Sequence, residues 1–315
     1  MNFGRILITG GAGFLGSQLV EKMLPLSEQI FIIDDLSTGN LSSIPKDPKI
    51  VFYHGSITNE KILDEVLPNV EFIFHLACRN LILSYHHIDD DFQTNLYGGL
   101  VLLKKSYELS KGLKRFVYTS TASVYGNADI LPTPENYYNI KLPYSASKFS
   151  TEHYCHVYHQ LYNFPTTILR LSNVYGPGQL VSNPYCGVVA KFFEAAKGTN
   201  AMTIYGDGEQ TRDFTYIEDA LQAILLVASN DKAIGNVYNV GTQKETSVLE
   251  LAQKISVITK TKDIEPEFTP KRSIDVVRRR CLNNKNLREL GWKCNHDIYS
   301  GLVKTYSWSI GGGNI

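Results

Sequence analysis

The chain has no excess of charge of either sign. Its 31 Lys and Arg balance 31 Asp and Glu, for a formal net charge of zero. That balance excludes the basic field that nucleic acid or an anionic membrane surface calls for, so neither is expected as a partner. Cysteine is sparse: Cys78, Cys155, Cys186, Cys281 and Cys294 are scattered with no Cys-x-x-Cys pair. An odd, unclustered set excludes a disulfide framework and a zinc site, and reads as reduced thiols in a cytoplasmic protein. No run of 18 apolar residues occurs, which excludes a membrane-spanning helix. The first apolar run begins within a few residues of the start, so no signal peptide is expected. Repeats and low-complexity blocks are also missing, and the closing Gly311-Gly312-Gly313-Asn314-Ile315 is expected to fray. What remains is a chain of 315 residues, 43% apolar. That is enough for a large core in one domain or two lobes.

What is present starts with Gly10-Gly11-Ala12-Gly13-Phe14-Leu15-Gly16. The apolar run Ile6-Leu7-Ile8 precedes it, and a helical pattern from Phe14 to about Leu26 follows. Strand, glycine turn and helix together form a phosphate cradle. Gly10 turns the chain, Gly13 admits a pyrophosphate to the backbone, and Gly16 lets helix and sheet approach. A second apolar run, Ile30–Ile33, ends in Asp34-Asp35. An acid about 20 residues past the glycines suits the ribose hydroxyls of a dinucleotide.

Apolar runs at 5–9, 30–34, 50–54, 70–76 and 114–120 alternate with helical patterns such as Asn59–Leu67 and Asp91–Leu109. This alternation predicts right-handed crossovers and an α/β, doubly wound parallel Rossmann sheet. Ligands then bind beyond the carboxyl ends of the strands. A helix is predicted from Tyr144 to about Tyr162, a strand over Thr166–Leu171, and a turn over Asn173–Gly178. Beyond that, helices near 187–197, 217–229, 247–261, 283–290 and 297–308 mix with short strands. These predict a smaller α+β lobe. The expected division is a dinucleotide-binding domain over 1–175 and a substrate lobe over 176–315, with the chain crossing between them.

Tyr144 and Lys148 are four apart and share one helix face. A tyrosine is a poor base at neutral pH. A nearby ammonium and a cationic nicotinamide ring favour its phenolate, which suits it to proton transfer coupled to hydride transfer. Thr121, after the fifth strand, is placed to share the substrate's alcohol proton. The bland readings are one tyrosine among 19, a strand-end threonine, and ordinary surface ion pairs for Arg212 and Arg272. Arg278-Arg279-Arg280 reads as a solvated face or strand edge. His86-His87 with Asp89-Asp90-Asp91 reads as a charged loop and helix start rather than a metal cluster. No metal site is expected.

With these residues assembled, the sequence resembles the extended short-chain dehydrogenase/reductase family, and within it the nucleotide-sugar epimerases and dehydratases. The segments that carry the resemblance are Thr9–Gly16, Asp34, His75-Leu76-Ala77, Asn95, Thr119–Gly126, Tyr144-x-x-x-Lys148, Arg170–Pro177 and Gly206–Asp213. The resemblance implies an NAD-dependent nucleotide-sugar 4-epimerase. Gly10, Gly13, Phe14, Leu15 and Gly16 would hold the pyrophosphate, and Asp34 the adenosine ribose, favouring NAD over NADP. Asp35, Ser56, Ile57, Leu76, Ala77 and Asn95 complete the implied cofactor set. Thr121, Tyr144 and Lys148 would be catalytic, Tyr144 and Lys148 also touching the nicotinamide ribose. Thr121, Asn173, Arg212 and Arg272 would contact the nucleotide-diphosphate sugar. Family members often dimerise through two helices, here near 91–110 and 144–162, so a homodimer is implied.

The chain departs from the family pattern in four places. Ser56 stands where Asp commonly contacts adenine. Cys78 replaces a small residue, and Arg79–Leu83 is unusually apolar for a sugar-facing loop. Ala122-Ser123 carries neither carboxylate of the family's dehydratases nor the decarboxylases' Glu. A decarboxylase or dehydratase with acids supplied elsewhere, or an NAD-responsive binding module, are the competing readings.

Overall fold

The β-branched and aromatic runs become strands in the computed structural model, which describes residues 2–311. Gly312–Ile315, most of the tail expected to fray, lie outside the described residues. In chain order the strands of the first half are β1 (Arg5–Thr9), β2 (Gln29–Asp34), β3 (Ile50–His54), β4 (Phe72–His75), β5 (Arg115–Thr121) and β6 (Thr166–Leu171). The helices among them are α1 (Phe14–Met23), α2 (Glu60–Val66), α3 (Leu81–His86), α4 (Ile88–Asp91), α5 (Gly99–Leu109) and α6 (Pro143–Tyr162). After them come β7 (Asn173–Tyr175), α7 (Val188–Lys197), β8 (Thr203–Tyr205), β9 (Thr211–Arg212), β10 (Phe214–Tyr216) and α8 (Ile217–Ser229). The last elements are β11 (Val237–Val240), β12 (Thr246–Ser247), α9 (Val248–Thr259), β13 (Glu267–Thr269), α10 (Lys285–Glu289) and α11 (Ile298–Ile310).

The main sheet has seven strands in the order β11-β6-β5-β4-β1-β2-β3. β1 pairs in parallel with β2 on one side and β4 on the other, opposing Thr9 to Ile33 and to His75. The chain runs outward from β1 to β3 and then returns to β4. β1 therefore stands at the switch in strand order, where a parallel sheet opens a crevice for ligands. Both faces are covered, so Ile6, Leu7, Ile8, Ile73 and Val117 have no exposed surface. This is why the strands read as continuous apolar runs rather than alternating ones.

Two compact units result. One is the chain up to Val124 with Leu142–Arg170 and Leu221–Tyr238; the other holds Tyr125–Lys141, Leu171–Ala220 and the chain from Asn239. In the second unit Asn173–Tyr175 is a strand, not the turn expected there. It pairs in parallel with β10, Asn173 opposite Phe214, a contact that local turn chemistry does not reveal. The single helix expected over Asp91–Leu109 is also interrupted. A wide π-turn over Phe92–Gly98 separates α4 from α5. Such turns insert an extra residue into a helix and cluster at functional sites.

His75 ends β4 inside the core. Burial pushes its pKa down to about 3, so the ring is neutral in the fold, with Nδ1 2.8 Å from the Thr9 hydroxyl. The unfolded imidazole binds a proton below about pH 6.5 and the folded one does not. Stability is therefore expected to fall as pH drops from about 6.5, at up to about 1.4 kcal/mol per pH unit. Urea melts of His75→Gln should have a flatter slope over that window. An unchanged slope would count against a buried neutral ring.

Candidate functional site

The glycine stretch folds as a turn from β1 into α1. Gly10 has φ +71°, where only glycine is unstrained, and its N–H donates to the Ile33 carbonyl at 2.9 Å. A Cβ on Gly10 would sit 2.7 Å from the Ala77 nitrogen, and one on Gly16 2.0 Å from the Gly10 oxygen. The backbones of β1, α1 and the segment after β4 thus meet here without side chains between them. Gly13 is the residue before the first turn of α1, and no side chain caps it. Phe14 and Leu15 open the helix, and no acid stands in its first turn. Unsatisfied N–H groups and a positive helix end suit a phosphate.

Asp34 closes β2 beside this turn. One carboxylate oxygen accepts from Ala12 N at 2.9 Å and the other from Leu36 N at 2.8 Å. Burial raises its pKa, and the two backbone N–H bonds oppose that rise. Each carboxylate oxygen has a second lone pair for a hydroxyl. An uncapped helix start, a backbone cradle that a Cβ would fill and this carboxylate together fit a dinucleotide.

Other implied cofactor residues have protein partners. Asp35 is paired with Arg79 at 2.9 Å, and Arg79 also donates to Ser37. Burial works against the Asp35 charge, but Ser37 and Arg79 outweigh it and hold its pKa down. The Ser56 hydroxyl accepts from Thr58 N at 3.1 Å, and Ile57 is buried in the core. Leu76 N and Ala77 N bond to the carbonyl and hydroxyl of Thr9. Asn95 clasps Arg79, accepting from its N–H at 2.8 Å and donating to its carbonyl at 3.0 Å.

The three residues expected to be catalytic come together. Pro143 starts α6, and the Ser145 hydroxyl accepts from Leu142 N at 3.2 Å, which sets the helix start. Tyr144 therefore lies in the first turn. Its hydroxyl lies beside Thr121, at the end of β5, and Cys78. Lys148 is buried one turn on, its Nζ 4.4 Å from the centre of the Tyr118 ring. Burial raises the Tyr144 pKa, and the Cys78 sulfur adds to the rise. Burial lowers that of Lys148, opposed by Cys78, Glu152 and Asp91. The resting phenol therefore carries its proton.

Sequence reasoning missed the residues that hold this trio. Arg170 on β6 forks onto Glu152 of α6, with Nε 3.1 Å from both oxygens and a terminal nitrogen 2.6 Å from Oε2. The Ser120 hydroxyl donates to the same carboxylate. Asp91 accepts from Ser147 at 3.1 Å and from Asn95 at 2.5 Å. These buried bonds fix α6 against β5, β6 and the π-turn. Glu152 lies four residues past Lys148 on the helix that carries the Tyr-Lys pair, the one signal that marked it.

The second unit holds the other predicted residues. Asn173 opens β7 with its Oδ1 buried and without a hydrogen-bond partner. Arg212, on β9, donates to the Thr211 carbonyl at 2.7 Å, and burial lowers its pKa. Arg272 forks onto Asp275 at 2.8 Å and lies over the Tyr205 ring at 4.4 Å. Arg280, expected on a solvated face, is instead turned inward, with its Nε buried.

The model of the NAD dependent epimerase/dehydratase family matches residues 6–241. A UDP-glucose 4-epimerase of Mycolicibacterium smegmatis is 36% identical over 314 residues, 96% of this chain and 97% of that protein. The structure of the Thermotoga maritima UDP-glucose 4-epimerase, solved with UDP-glucose, superposes with a TM-score of 0.90 at 35% identity, covering 98% of this chain and 99% of that one. The Methanobrevibacter ruminantium UDP-N-acetylglucosamine 4-epimerase, in complex with UDP-N-acetylmuramic acid, gives 0.92 at 28% identity, covering 99% of each chain.

Proposed function

The chain belongs to the NAD-dependent epimerase/dehydratase family, and on that premise we propose that it is a nucleotide-sugar 4-epimerase. It acts on a UDP-linked or other nucleoside-diphosphate hexose through a transient 4-keto sugar. The observation that carries this reading is the Tyr144 hydroxyl beside Thr121, with Ala122 and Ser123 following. A proton can be moved at an alcohol there. No carboxylate follows Thr121 to expel water or assist loss of carbon dioxide, which favours epimerisation over dehydration or decarboxylation.

Tyr144 in its phenolate form takes the proton from the 4-hydroxyl of the sugar, Thr121 shares the hydrogen bond, and the resulting phenol returns the proton when the alcohol re-forms. Lys148 supports the phenolate charge. NAD, held by Gly10, Gly13, Phe14, Leu15, Gly16 and Asp34, supplies reversible hydride acceptance and is not consumed. Asp35, Ser56, Ile57, Leu76, Ala77 and Asn95 serve that site by positioning it. Asn173, Arg212 and Arg272 hold the diphosphate. This remote binding retains the keto sugar while its other face is presented.

The test is a panel of UDP- and other nucleoside-diphosphate hexoses incubated with the purified enzyme and read by proton NMR and mass spectrometry. Inversion at C4 without change of mass is expected. Loss of water or carbon dioxide from the product, or no inversion anywhere in the panel with NAD bound, would overturn the reading.

We place the enzyme in the cytoplasm, in carbohydrate biosynthesis, as a homodimer through α5 and α6. Tyr107, Tyr154, Val157 and Leu161 are exposed on those two helices, Leu161 by 67%. Leu161→Glu is expected to shift sedimentation from dimer to monomer. An unchanged dimer would remove these helices from the interface.

A further inference from the structure

The segment Arg278–Arg280 runs beside β9, where Thr211 N donates to the Arg278 carbonyl at 2.9 Å. The chain bends at Arg278, so the three side chains do not share one face. Arg278 and Arg279 face solvent and are neutralised there, by Asp207 at 2.7 Å and Glu245 at 2.5 Å. Arg280 faces the interior of the second unit. Its Nε is buried with no hydrogen-bond partner, and its charged neighbours are Asp213 and a second cation, Arg212.

Asp213 does not serve Arg280 as a fork partner. Its Oδ1 accepts from Thr242 N and the Thr242 hydroxyl, both at 2.7 Å. Its Oδ2 accepts from Leu282 N at 3.0 Å and Gln243 N at 3.2 Å. Asp275, the other nearby carboxylate, is engaged by Arg272 through both oxygens. Arg280 and Arg272 each neighbour Arg212, and the carboxylates beside them are already occupied. Burial pushes Arg280 down to about 9 and lowers Arg212, the direction expected of cations short of counter-charge. A guanidinium does not discharge at neutral pH, and an anion beside Arg280 would supply the counter-charge it lacks.

We propose that Arg280 is a third anion-binding arginine, forming with Arg212 and Arg272 a pocket for the diphosphate of a nucleoside diphosphate. Two phosphoryl groups offer enough oxygens and charge for three planar forks. The identity of the carrier, a nucleotide sugar, rests on the function proposed above; the demand for an anion does not.

Calorimetric titration of wild type, Arg280→Met and Arg280→Lys with UDP, dTDP, UMP, inorganic pyrophosphate and NAD tests this. Arg280→Met is expected to weaken nucleoside diphosphate binding by about 10- to 100-fold, the worth of one or two charged hydrogen bonds. UMP should lose less and NAD nothing. Arg280→Lys keeps the charge without the fork and should recover part of the loss. Thermal melts separate binding from scaffolding. Without ligand, Arg280→Met should melt at or above wild type, because an uncompensated buried charge has gone, yet lose most of the rise that a nucleoside diphosphate induces. Unchanged affinity for UDP and dTDP, or a lower melting temperature without ligand, would overturn the proposal. So would failure of wild type to bind any of UDP, dTDP and pyrophosphate. Tight UDP binding without C4 inversion of any sugar supports the pocket and sinks the epimerase reading instead.

Discussion

Tyr144→Phe is expected to lower kcat by about 10²–10⁴-fold, the usual worth of a positioned acid–base group, while NAD stays bound. The substitution keeps the ring and removes one hydroxyl. That hydroxyl lies beside Thr121 and Cys78, and its loss should cost at most about 0.5–1.5 kcal/mol of stability and leave the fold intact. The effect on rate is larger because nothing replaces the function. In the first unit Thr121 is the hydroxyl beside the phenol, and an alcohol is far too weak a base to take its place. The pH profile adds a second readout. Burial raises the Tyr144 pKa, so the proton-accepting phenolate is scarce at neutral pH and grows as pH rises. Wild-type rates should therefore climb with pH on the acid side of the profile, and the residual rate of the Phe variant should not. Turnover near wild type in Tyr144→Phe would end the case for this residue as the proton carrier.

Gly16→Ala is expected to be the second most damaging change, and by a different route. The added Cβ would lie 2.0 Å from the Gly10 oxygen and 2.8 Å from the Gly11 Cα. Both obstacles are backbone and cannot swing aside. Alanine favours a helix over glycine by about 1 kcal/mol, whereas overpacking costs about 1–3 kcal/mol and more where the neighbour cannot yield. The clash wins. α1 must move away from β1, and its N-terminal N–H groups leave the phosphate position. Loss of NAD on desalting and a lower melting temperature are expected together. Gly13→Ala is the control: its Cβ would be 3.3 Å from the same oxygen, so stability should fall much less while cofactor retention still drops. Wild-type stability and NAD content in Gly16→Ala would show that the close approach has no consequence.

The legible parts of the molecule were those written in short-range spacing. The run Ile6–Ile8, the glycines and Asp34 lie within one β-α-β unit, so order and interval alone locate the cradle. Tyr144 and Lys148 fall on one helix face for the same reason. What stayed hidden depends on partners far along the chain. β7 exists because Asn173–Tyr175 pairs with Phe214–Tyr216, about forty residues on, while the local sequence signals a turn. Glu152 is a buried charge made tolerable by Arg170 and Ser120, and no window around it shows both. Arg280 is the instructive case. Three consecutive arginines look alike as composition, yet two meet acids at the surface and the third meets another cation inside.

The π-turn at Phe92–Gly98 acts as a phase shifter. One extra residue rotates everything after it by about 100° relative to an uninterrupted rod. A single segment can thus present Asp91 and Asn95 to Ser147 and the Arg79 backbone, and then present Gly98 and Gly99 to Ile57 and Thr151.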